Sequence, residues 1–249
     1  MAVYILIFIF GAVVGSFLNV VVLRLNTGES IIKSGSRCFS CGKKLRWFEL
    51  IPALSFIIQR GRCRSCRSKI SWQYPIVEML TGLAFVLTYQ HFGFNLAFGF
   101  WILIFSLLIA ISIYDFRHQI IPNQLVYPFI ALSFFSPLFQ VSGFRFQVSG
   151  LLAGIILFSF FALLWLVSRG RWMGFGDAKL ALGIGWLLGM HKGILALALS
   201  FWIGAIVSIY LMLFLGKSSK SRIAFGPFLA LATFISFLFG NYIIHWFLM

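Results

Sequence analysis

The stretch VSGLLAGIILFSFFALLWLVSRGRWMGFGDAKL, residues 148–180, indicates the fold class of this protein. Its first part, residues 148–168, contains no charged side chain, and an apolar helix of roughly 20 residues is long enough to cross a bilayer. A glycine-rich polar turn follows, and the carboxylate Asp177 lies between this turn and the next apolar run. An ionisable group at a membrane boundary is costly enough to indicate a functional site. The stretch therefore predicts a membrane helix followed by a functional turn.

The composition of the whole chain is typical of a membrane protein. The 249 residues are 61% hydrophobic and 10% charged, whereas about a quarter of the residues in a soluble domain are charged. The net charge of +15 is a feature of many nucleic-acid-binding proteins, but here the basic residues lie in loops between apolar segments. Basic loops of this kind orient a membrane protein. We therefore predict an integral membrane protein that has the lipid bilayer, and no nucleic acid, as a partner.

Apolar segments of spanning length recur along the chain. They predict an all-α polytopic membrane protein with about eight transmembrane helices and a small polar insert after the first helix. The sixth segment is short and rich in glycine, so seven spans are the alternative. The predicted spans are residues 2–23, 74–90, 94–114, 122–140, 148–168, 177–190, 193–215 and 223–247. The predicted domains are the first helix (1–25), the insert (26–73) and a seven-helix transmembrane catalytic domain (74–249).

The basic residues also predict the orientation of the chain in the membrane. The insert, residues 26–73, contains ten of the twenty Lys and Arg residues. If the insert is cytoplasmic, alternation over the predicted spans leaves only Arg145 and Lys192 on the outer side. The same alternation places Asp115 and Asp177 together at the cytoplasmic face. We therefore expect the insert and both aspartates to face the cytoplasm.

All four cysteines lie in the insert, as two C-x-x-C pairs that are separated by 21 residues. Such pairs are typical of zinc sites, because each turn directs two sulfurs at one tetrahedral metal. Two disulfides are the alternative, and a reducing cytoplasm favours zinc. Four thiolates leave no open coordination position, so the predicted zinc is structural and not catalytic. The predicted metal ligands are Cys38, Cys41, Cys63 and Cys66.

Two of the five carboxylates, Asp115 and Asp177, lie where a long apolar segment meets a polar turn. Two carboxylates that share one proton can hydrolyse a peptide bond, since one activates a water while the other polarises the carbonyl. The sequence offers no Ser/His/Asp or Cys/His combination in their place. We predict a membrane aspartyl protease pair. The alternatives are a helix cap, an ion pair with Arg117, Arg171 or Lys179, and a proton relay in a transporter or channel.

Four further residues are candidates for substrate binding or for support of the catalytic pair. Gly174 and Gly176 allow the backbone to turn closely beside Asp177, and Lys179 follows in the same motif. Glu78 lies at the start of the second predicted span. There it either forms an ion pair with a basic loop residue or orients a catalytic group.

The first apolar segment predicts close packing against another helix. Gly11, Gly15 and Ser16 lie on one face at helical spacing, and small residues allow two membrane helices to approach closely. Asn19 lies near the end of the same segment. We predict that its side chain forms an interhelical hydrogen bond, with a substrate contact as the alternative.

Taken together, these motifs resemble the prepilin peptidases (type IV leader peptidases), which are intramembrane aspartyl proteases with a G-x-G-D motif. The matching pieces occur in the family's order and cover nearly the whole chain. They are GSFLNVVVLRL (15–25), the paired C-x-x-C turns with GRCRSC (61–66), IS, YP and VE between 70 and 78, Asp115 followed by IPN (121–123), GFGDAKL (174–180) and AFGPFL (224–229).

The resemblance implies substrates, a second activity and a location. The substrates would be type IV prepilins or pseudopilins of type II secretion, cleaved after a glycine at the cytoplasmic end of their apolar helix. Asp115 and Asp177 align with the catalytic pair of the family. Many members also methylate the new N-terminus from S-adenosylmethionine, an activity linked to the cysteine-bearing region. The location would be the bacterial cytoplasmic (inner) membrane.

Overall fold

The computed structural model of the chain describes residues 1–32, 34–136, 148–216 and 223–248, and these regions are helical apart from their connecting segments and two isolated β-bridges. The helices are α1 (Ala2–Arg24), α2 (Leu54–Ile58), α3 (Gln73–Phe92), α4 (Leu96–His118), α5 (Asn123–Phe134), α6 (Val148–Ser168), α7 (Phe175–Leu215) and α8 (Gly226–Leu248), with one 3-10 turn at Trp47–Glu49. The chain divides into two compact units, Met1–Ala110 and Ile111–Met249.

Five of the described helices, α1, α4, α6, α7 and α8, are long and apolar enough to cross a membrane. Helix α3 has 20 residues but carries polar side chains near both ends. Helix α5 has 12 residues, or about 18 Å, which is shorter than the roughly 30 Å hydrocarbon core. Arg145 and the end of the predicted span 122–140 lie outside the described residues. The all-α polytopic class is confirmed, whereas the number of eight spans stays a prediction.

Helix α7 contains 41 residues and is interrupted at one glycine. A straight helix of that length would extend about 61 Å, roughly twice the thickness of the hydrocarbon core. Gly189 has φ 74° and ψ −174°, a backbone region that is essentially restricted to glycine. The sequence predicts two spans here, 177–190 and 193–215. The structure places the change of direction at Gly189, without a separate loop.

In the first unit, α1 packs closely against α3 through small residues. A Cβ atom added to Gly11 would lie 2.8 Å from the Cα of Gly82, and one added to Gly15 would lie 2.9 Å from the Cα of Glu78. These distances are too short for any larger residue in α1. The predicted close packing of Gly11 and Gly15 against another helix is therefore confirmed, and the partner is α3.

A buried amide joins the same two helices. Asn19 of α1 is fully buried, and its Oδ1 accepts a hydrogen bond from Nε2 of Gln73 at 3.1 Å. Its Nδ2 lies 3.5 Å from the carbonyl oxygen of Tyr74. Because an unpaired buried amide would be costly, these contacts specify how α1 and α3 align. They confirm the predicted interhelical hydrogen bond.

In the second unit, α6 packs against the first half of α7 with little space between the two backbones. A Cβ atom added to Gly185 would lie 2.5 Å from the Cα of Gly154. Nε1 of Trp186 donates a hydrogen bond to the carbonyl of Leu151 at 3.3 Å. This contact positions the helix whose first turn carries Asp177.

Candidate active site

Asp177 lies in the first turn of α7. Gly174 is the N-cap of this helix, and its N–H donates a hydrogen bond to Oδ2 of Asp177 at 3.2 Å. The N–H groups at the start of a helix have no partner within the helix, and an acidic side chain there also lies at the positive end of the helix dipole. Asp177 is only 7% exposed. Its carboxylate is therefore buried and oriented by its own helix.

Asp115 lies in the last turn of α4 and is held by a different helix. Its Oδ2 accepts a hydrogen bond from the N–H of Gly226 at 2.9 Å, and Gly226 is the first residue of α8. A Cβ atom at residue 226 would lie 2.7 Å from that oxygen, so only glycine fits. Asp115 is 4% exposed. The carboxylate is buried against the start of α8.

Gly226 is a partner of Asp115 that the sequence alone does not predict. The available signal was the Gly-Pro step in AFGPFL, because proline favours the first turn of a helix. That signal indicates where α8 begins. It does not indicate which side chain the helix start contacts, since 111 residues separate the two partners.

The two aspartates interact with each other in the second unit. Asp115 lies close enough to Asp177 for its charge to influence that carboxyl group. Among the described residues, neither carboxylate has a cationic side chain within ion-pair distance, and the ion pairs found there both belong to Glu29. The predicted alternative of an ion pair is therefore wrong for this part of the chain. Both aspartates do cap a helix start, as the other alternative predicts. Capping and catalysis are therefore distinguished by the activity of asparagine variants.

The two glycines before Asp177 have different roles. A Cβ atom on Gly176 would lie 2.8 Å from the Cβ of Ile121, so residue 176 must be small to let Ile121 pack. Gly174 has φ −76° and ψ 149°, a conformation that other residues also adopt. The left-handed backbone lies earlier, at Gly170 with φ 72°. The backbone therefore turns sharply at Gly170 and not at Gly174 or Gly176 as predicted. Gly176 is instead required for packing against Ile121.

Lys179 contacts α5 and not the aspartate that precedes it. Its Nζ donates hydrogen bonds to Oδ1 of Asn123 at 2.9 Å and to the hydroxyl of Tyr127 at 3.3 Å. Residues two apart on a helix do not face the same side, which explains why Lys179 and Asp177 are not paired. Substrate binding by Lys179 stays a prediction.

Glu78 accepts hydrogen bonds in place of the predicted ion pair. It is 6% exposed, and its Oε2 accepts the N–H of Ala53 at 2.7 Å. The side chain of Ser16 is a second hydrogen-bond partner. Ala53 belongs to the insert and has a left-handed φ of 56°. No cation pairs with Glu78 in the described part of the chain, so its observed role is to join α3 to the insert.

The four cysteine sulfurs form one compact cluster. All four Sγ atoms lie within 4.8 Å of one another, and Cys38 and Cys66 are 3.8 Å apart. A tetrahedral site with bonds of about 2.3 Å has sulfur–sulfur edges of about 3.8 Å, and all four thiols are free. The N–H of Cys41 lowers the pKa of the Cys38 thiol to about 6, and the Ser68 hydroxyl lowers that of Cys66. Against the N–H of Lys43, desolvation and the neighbouring Cys66 and Cys38 thiols raise the pKa of Cys41 to about 11, so the geometry of the four sulfurs is the evidence for the site. The donor set therefore fits a metal ion and does not form the alternative disulfides.

The two C-x-x-C turns have the same backbone structure. In each turn the N–H of the first cysteine donates a hydrogen bond to the carbonyl five residues later, at 2.9 Å in both cases. The residue after the second cysteine is left-handed in both turns, with φ 71° at Gly42 and 56° at Arg67. Two equivalent turns that face each other explain how sulfurs far apart in sequence converge.

Comparison with known proteins shows which family shares these features. The family model described as the Bacterial Peptidase A24 N-terminal domain matches residues 9–92, and the model of the Type IV leader peptidase family matches residues 102–209. A prepilin leader peptidase/N-methyltransferase of Bacillus subtilis (strain 168) is 32% identical over 243 residues, which cover 98% of this chain and 97% of that protein. The chain belongs to the type IV leader peptidase family.

Two further proteins described as prepilin leader peptidase/N-methyltransferases are related to this chain to a similar degree. The protein of Pseudomonas aeruginosa is 32% identical over 258 residues, covering 94% of this chain and 89% of that protein. The protein of Myxococcus xanthus is 35% identical over 217 residues, covering 85% of this chain and 64% of that protein. No solved structure matches the chain.

Membership of the type IV leader peptidase family confirms the resemblance drawn from the motifs. It also confirms the predicted class of enzyme, a peptidase in a multi-pass membrane protein, and gives no support to a transporter or channel. The first matched region contains all four cysteines and Glu78. The second contains both Asp115 and Asp177, whereas Gly226 lies beyond it.

Proposed function

We propose that this chain is an intramembrane aspartyl endopeptidase that removes the leader peptide of type IV prepilins or pseudopilins. The observation that carries the proposal is the pair formed by Asp115 and Asp177. Both carboxylates are buried, interact with each other and lack a cationic partner among the described residues. The names of relatives that share most of the chain's length supply the class of substrate.

The chemistry requires one water and one proton shared by the pair. The ionised carboxylate takes a proton from the water as its oxygen attacks the carbonyl carbon of the scissile peptide bond. The protonated carboxyl group gives its proton to the carbonyl oxygen, which forms a neutral tetrahedral intermediate. The carboxyl group that took a proton from the water then gives it to the amide nitrogen as the carbon–nitrogen bond breaks. The other, now ionised, carboxylate takes a proton from one hydroxyl of the intermediate, which restores the single shared proton of the pair. The products are the carboxyl terminus of the leader and the amino terminus of the pilin.

The backbone around the aspartates supports this assignment of roles. Gly226 and Gly174 each donate to Oδ2 of one aspartate, so each carboxyl group is held by one oxygen. The other oxygen of each group is then available to water or to the substrate carbonyl. Groups that are oriented before the substrate arrives lower the barrier to reaction.

We place the reaction at the cytoplasmic face of the bacterial inner membrane. The support is the charge pattern of the loops, since the basic insert and both aspartates lie on the same side when the predicted spans alternate. A prepilin presents an apolar helix, and the bilayer beside the helices of this chain is a suitable environment for it. The scissile bond would lie at the cytoplasmic end of that helix.

We also propose that Cys38, Cys41, Cys63 and Cys66 bind one Zn²⁺. The support is the cluster of four sulfurs with edges suited to tetrahedral coordination. Bound zinc would link the two C-x-x-C turns and supply folding free energy to the insert. Four thiolates occupy every position of such a site, so the metal takes no part in hydrolysis.

Methylation of the new N-terminus from S-adenosylmethionine is a second proposed activity. Its support is the description of the relatives as prepilin leader peptidase/N-methyltransferases. In the described ranges, no strand is followed by a glycine-rich turn and a helix in the manner of a dinucleotide site. We therefore assign no residue of the chain to that cofactor.

The proposal is tested by adding a purified prepilin to the purified chain in lipid vesicles and following the products by mass spectrometry. We expect release of the leader after a glycine, and no release by the Asp177→Asn variant. Glu29→Gln is the matched control, because Glu29 is an exposed carboxylate whose ion pairs lie within the first unit, and it should cleave normally. Addition of S-adenosylmethionine should add one methyl group to the pilin product.

Normal cleavage by Asp177→Asn would contradict the proposed catalytic pair. A wild-type chain that releases no leader from any type IV prepilin or pseudopilin would contradict the proposed substrate class. Cleavage without methylation would remove the second activity and leave the first intact.

A further inference from the structure

The connection that follows Asp115 is short and tightly folded. Helix α4 ends at His118, three residues after Asp115, and α5 begins at Asn123. Gln119 has a left-handed φ of 55°, and its N–H donates to the carbonyl of Asp115 at 2.7 Å. Such a short connection restricts how far Asp115 can move relative to the start of α5. The position of Asp115 therefore depends on how residues 121–123 are held.

Residues 121–123 are held by the first turn of α7. The side chain of Ile121 packs on Gly176, where no Cβ atom would fit. Oδ1 of Asn123 accepts the hydrogen bond from Lys179. Gly176 and Lys179 are three residues apart and share one face of the helix. Residues 121–123, which follow Asp115, therefore contact the first turn of α7, which carries Asp177, at two points.

The ammonium group of Lys179 is fixed in place by neutral groups. Besides Asn123, it contacts the hydroxyl of Tyr127 and lies 5.1 Å from the centre of the Tyr127 ring. The centre of the Phe175 ring is 5.4 Å away. A hydrogen bond from a charged donor is stronger than a neutral one, and aromatic faces attract a cation at these distances. Lys179 is therefore suited to hold α5 against α7.

We propose that Lys179 is a positioning residue of the peptidase: by holding Asn123 it fixes the 121–123 segment on α7 and thereby sets the relative placement of Asp115 and Asp177. The inference rests on the proposed function of the pair. Of the two roles predicted for Lys179, it assigns support of the catalytic pair in place of substrate binding, and it names Asn123 as the contact through which Lys179 acts. A misplacement of about 1 Å in catalytic groups can reduce a rate by roughly 100-fold, so loss of this contact acts mainly on the chemical step.

The kinetic test uses Lys179→Met, Lys179→Arg and Asn123→Ala in the prepilin cleavage assay. We expect Lys179→Met to lower kcat by about 10- to 100-fold, with KM within about twofold of wild type. Lys179→Arg keeps a charged donor and should recover most of kcat. Asn123→Ala should resemble Lys179→Met, and the double variant should be no slower than either, since both remove the same interaction.

Arg117→Met is the matched control. Arg117 follows Asp115 by two residues, as Lys179 follows Asp177, and it is exposed. Its side chain makes no hydrogen bond or ion pair with the described residues, so its replacement removes one positive charge and no contact like that of Lys179 with Asn123. We expect its kcat and KM to stay within about twofold of wild type.

Amide hydrogen exchange tests the same contact without relying on cleavage. Peptides covering residues 119–124 should exchange faster in Lys179→Met than in wild type or Arg117→Met, while the melting temperature remains close to wild type. Unchanged exchange in Lys179→Met would overturn the inference whether or not the chain cleaves prepilins. An increase in KM with unchanged kcat, or additive effects in the double variant, would also overturn it.

Discussion

Four of the five carboxylates in the chain are buried, and each accepts a backbone N–H at the start of a helix or helical turn. Asp177 and Asp115 accept from the starts of α7 and α8. Glu78 accepts from the residue before α2, and Glu49 from the residue before the 3-10 turn. Buried charges are costly unless they are compensated, and helix starts supply donors and a favourable dipole. Backbone groups therefore replace cationic side chains in the described regions.

This compensation explains which parts of the site could be predicted from sequence. Asp115 and Asp177 stand out because they end or begin long apolar runs. Their hydrogen-bond partners cannot be recognised in the same way, because a backbone N–H has no signature in the sequence. The start of α8 is also far from Asp115 along the chain. For Glu78, the abundance of basic residues in the insert suggested an ion pair. The structure shows a backbone donor, Ala53.

The contact between Glu78 and Ala53 predicts how the insert is held on α3. Glu78→Leu removes the acceptor and should speed amide exchange in peptides covering residues 50–61, because Ala53 is the N-cap of α2. Glu78→Gln keeps an oxygen that can accept the same hydrogen bond and should exchange almost as slowly as wild type. Hydrogen exchange followed by mass spectrometry of the purified chain measures both.

Arg24→Met provides the comparison for that experiment. The Arg24 guanidinium donates to the carbonyls of Ser30, Ser34 and Gly35, so its loss should affect residues 29–36 and leave 50–61 unchanged. If the amides of residues 50–61 exchange as slowly in Glu78→Leu as in wild type, Glu78 does not hold the insert.

Among the elements, long apolar helices were the most predictable and their interruptions the least. Helices α1, α4 and α6 follow from the length of their apolar runs. The sequence predicts a break between the spans 177–190 and 193–215, but it cannot show that Gly189 alone adopts a non-helical conformation while Gly183 and Gly185 stay helical. Those two glycines are needed for packing, since their missing side chains make room for Phe129 and Gly154.

The cysteine insert is the element whose stability depends most on a ligand. Its helical pieces have three and five residues, and Trp47 is 78% exposed, so it has little apolar core. We predict that the purified chain contains about one zinc per molecule and that Cys63→Ser removes it. A chelator should then expose the insert to trypsin while the apolar helices stay intact, as measured by metal analysis and timed proteolysis.

The prediction would be contradicted if trypsin cleaved the insert no faster in the metal-free chain than in the zinc-containing chain. Cys38→Ser should give the same result as Cys63→Ser, because Cys38 belongs to the first C-x-x-C turn and Cys63 to the second, and both turns are needed to close the site.

At the scale of the whole molecule, the apolar helices and the family membership define a multi-pass membrane peptidase. The class could be predicted from composition, because 61% hydrophobic and 10% charged residues depart strongly from the composition of soluble domains, in which about a quarter of the residues are charged. The orientation stays a prediction from loop charge. It is set during membrane insertion by the distribution of Lys and Arg, and helix geometry alone does not encode which side is cytoplasmic.

The measurement that tests the central claim most directly is the single-turnover cleavage rate of Asp115→Asn, Asp177→Asn and the double variant. An asparagine oxygen can still accept the N–H of Gly226 or Gly174, so the helix starts keep their acceptors, but proton transfer is lost. We predict that each single variant is at least about 1,000-fold slower than wild type and that the double variant is no slower than either. A single variant of wild-type stability that cleaves within about tenfold of the wild-type rate would show that the aspartates only cap helices.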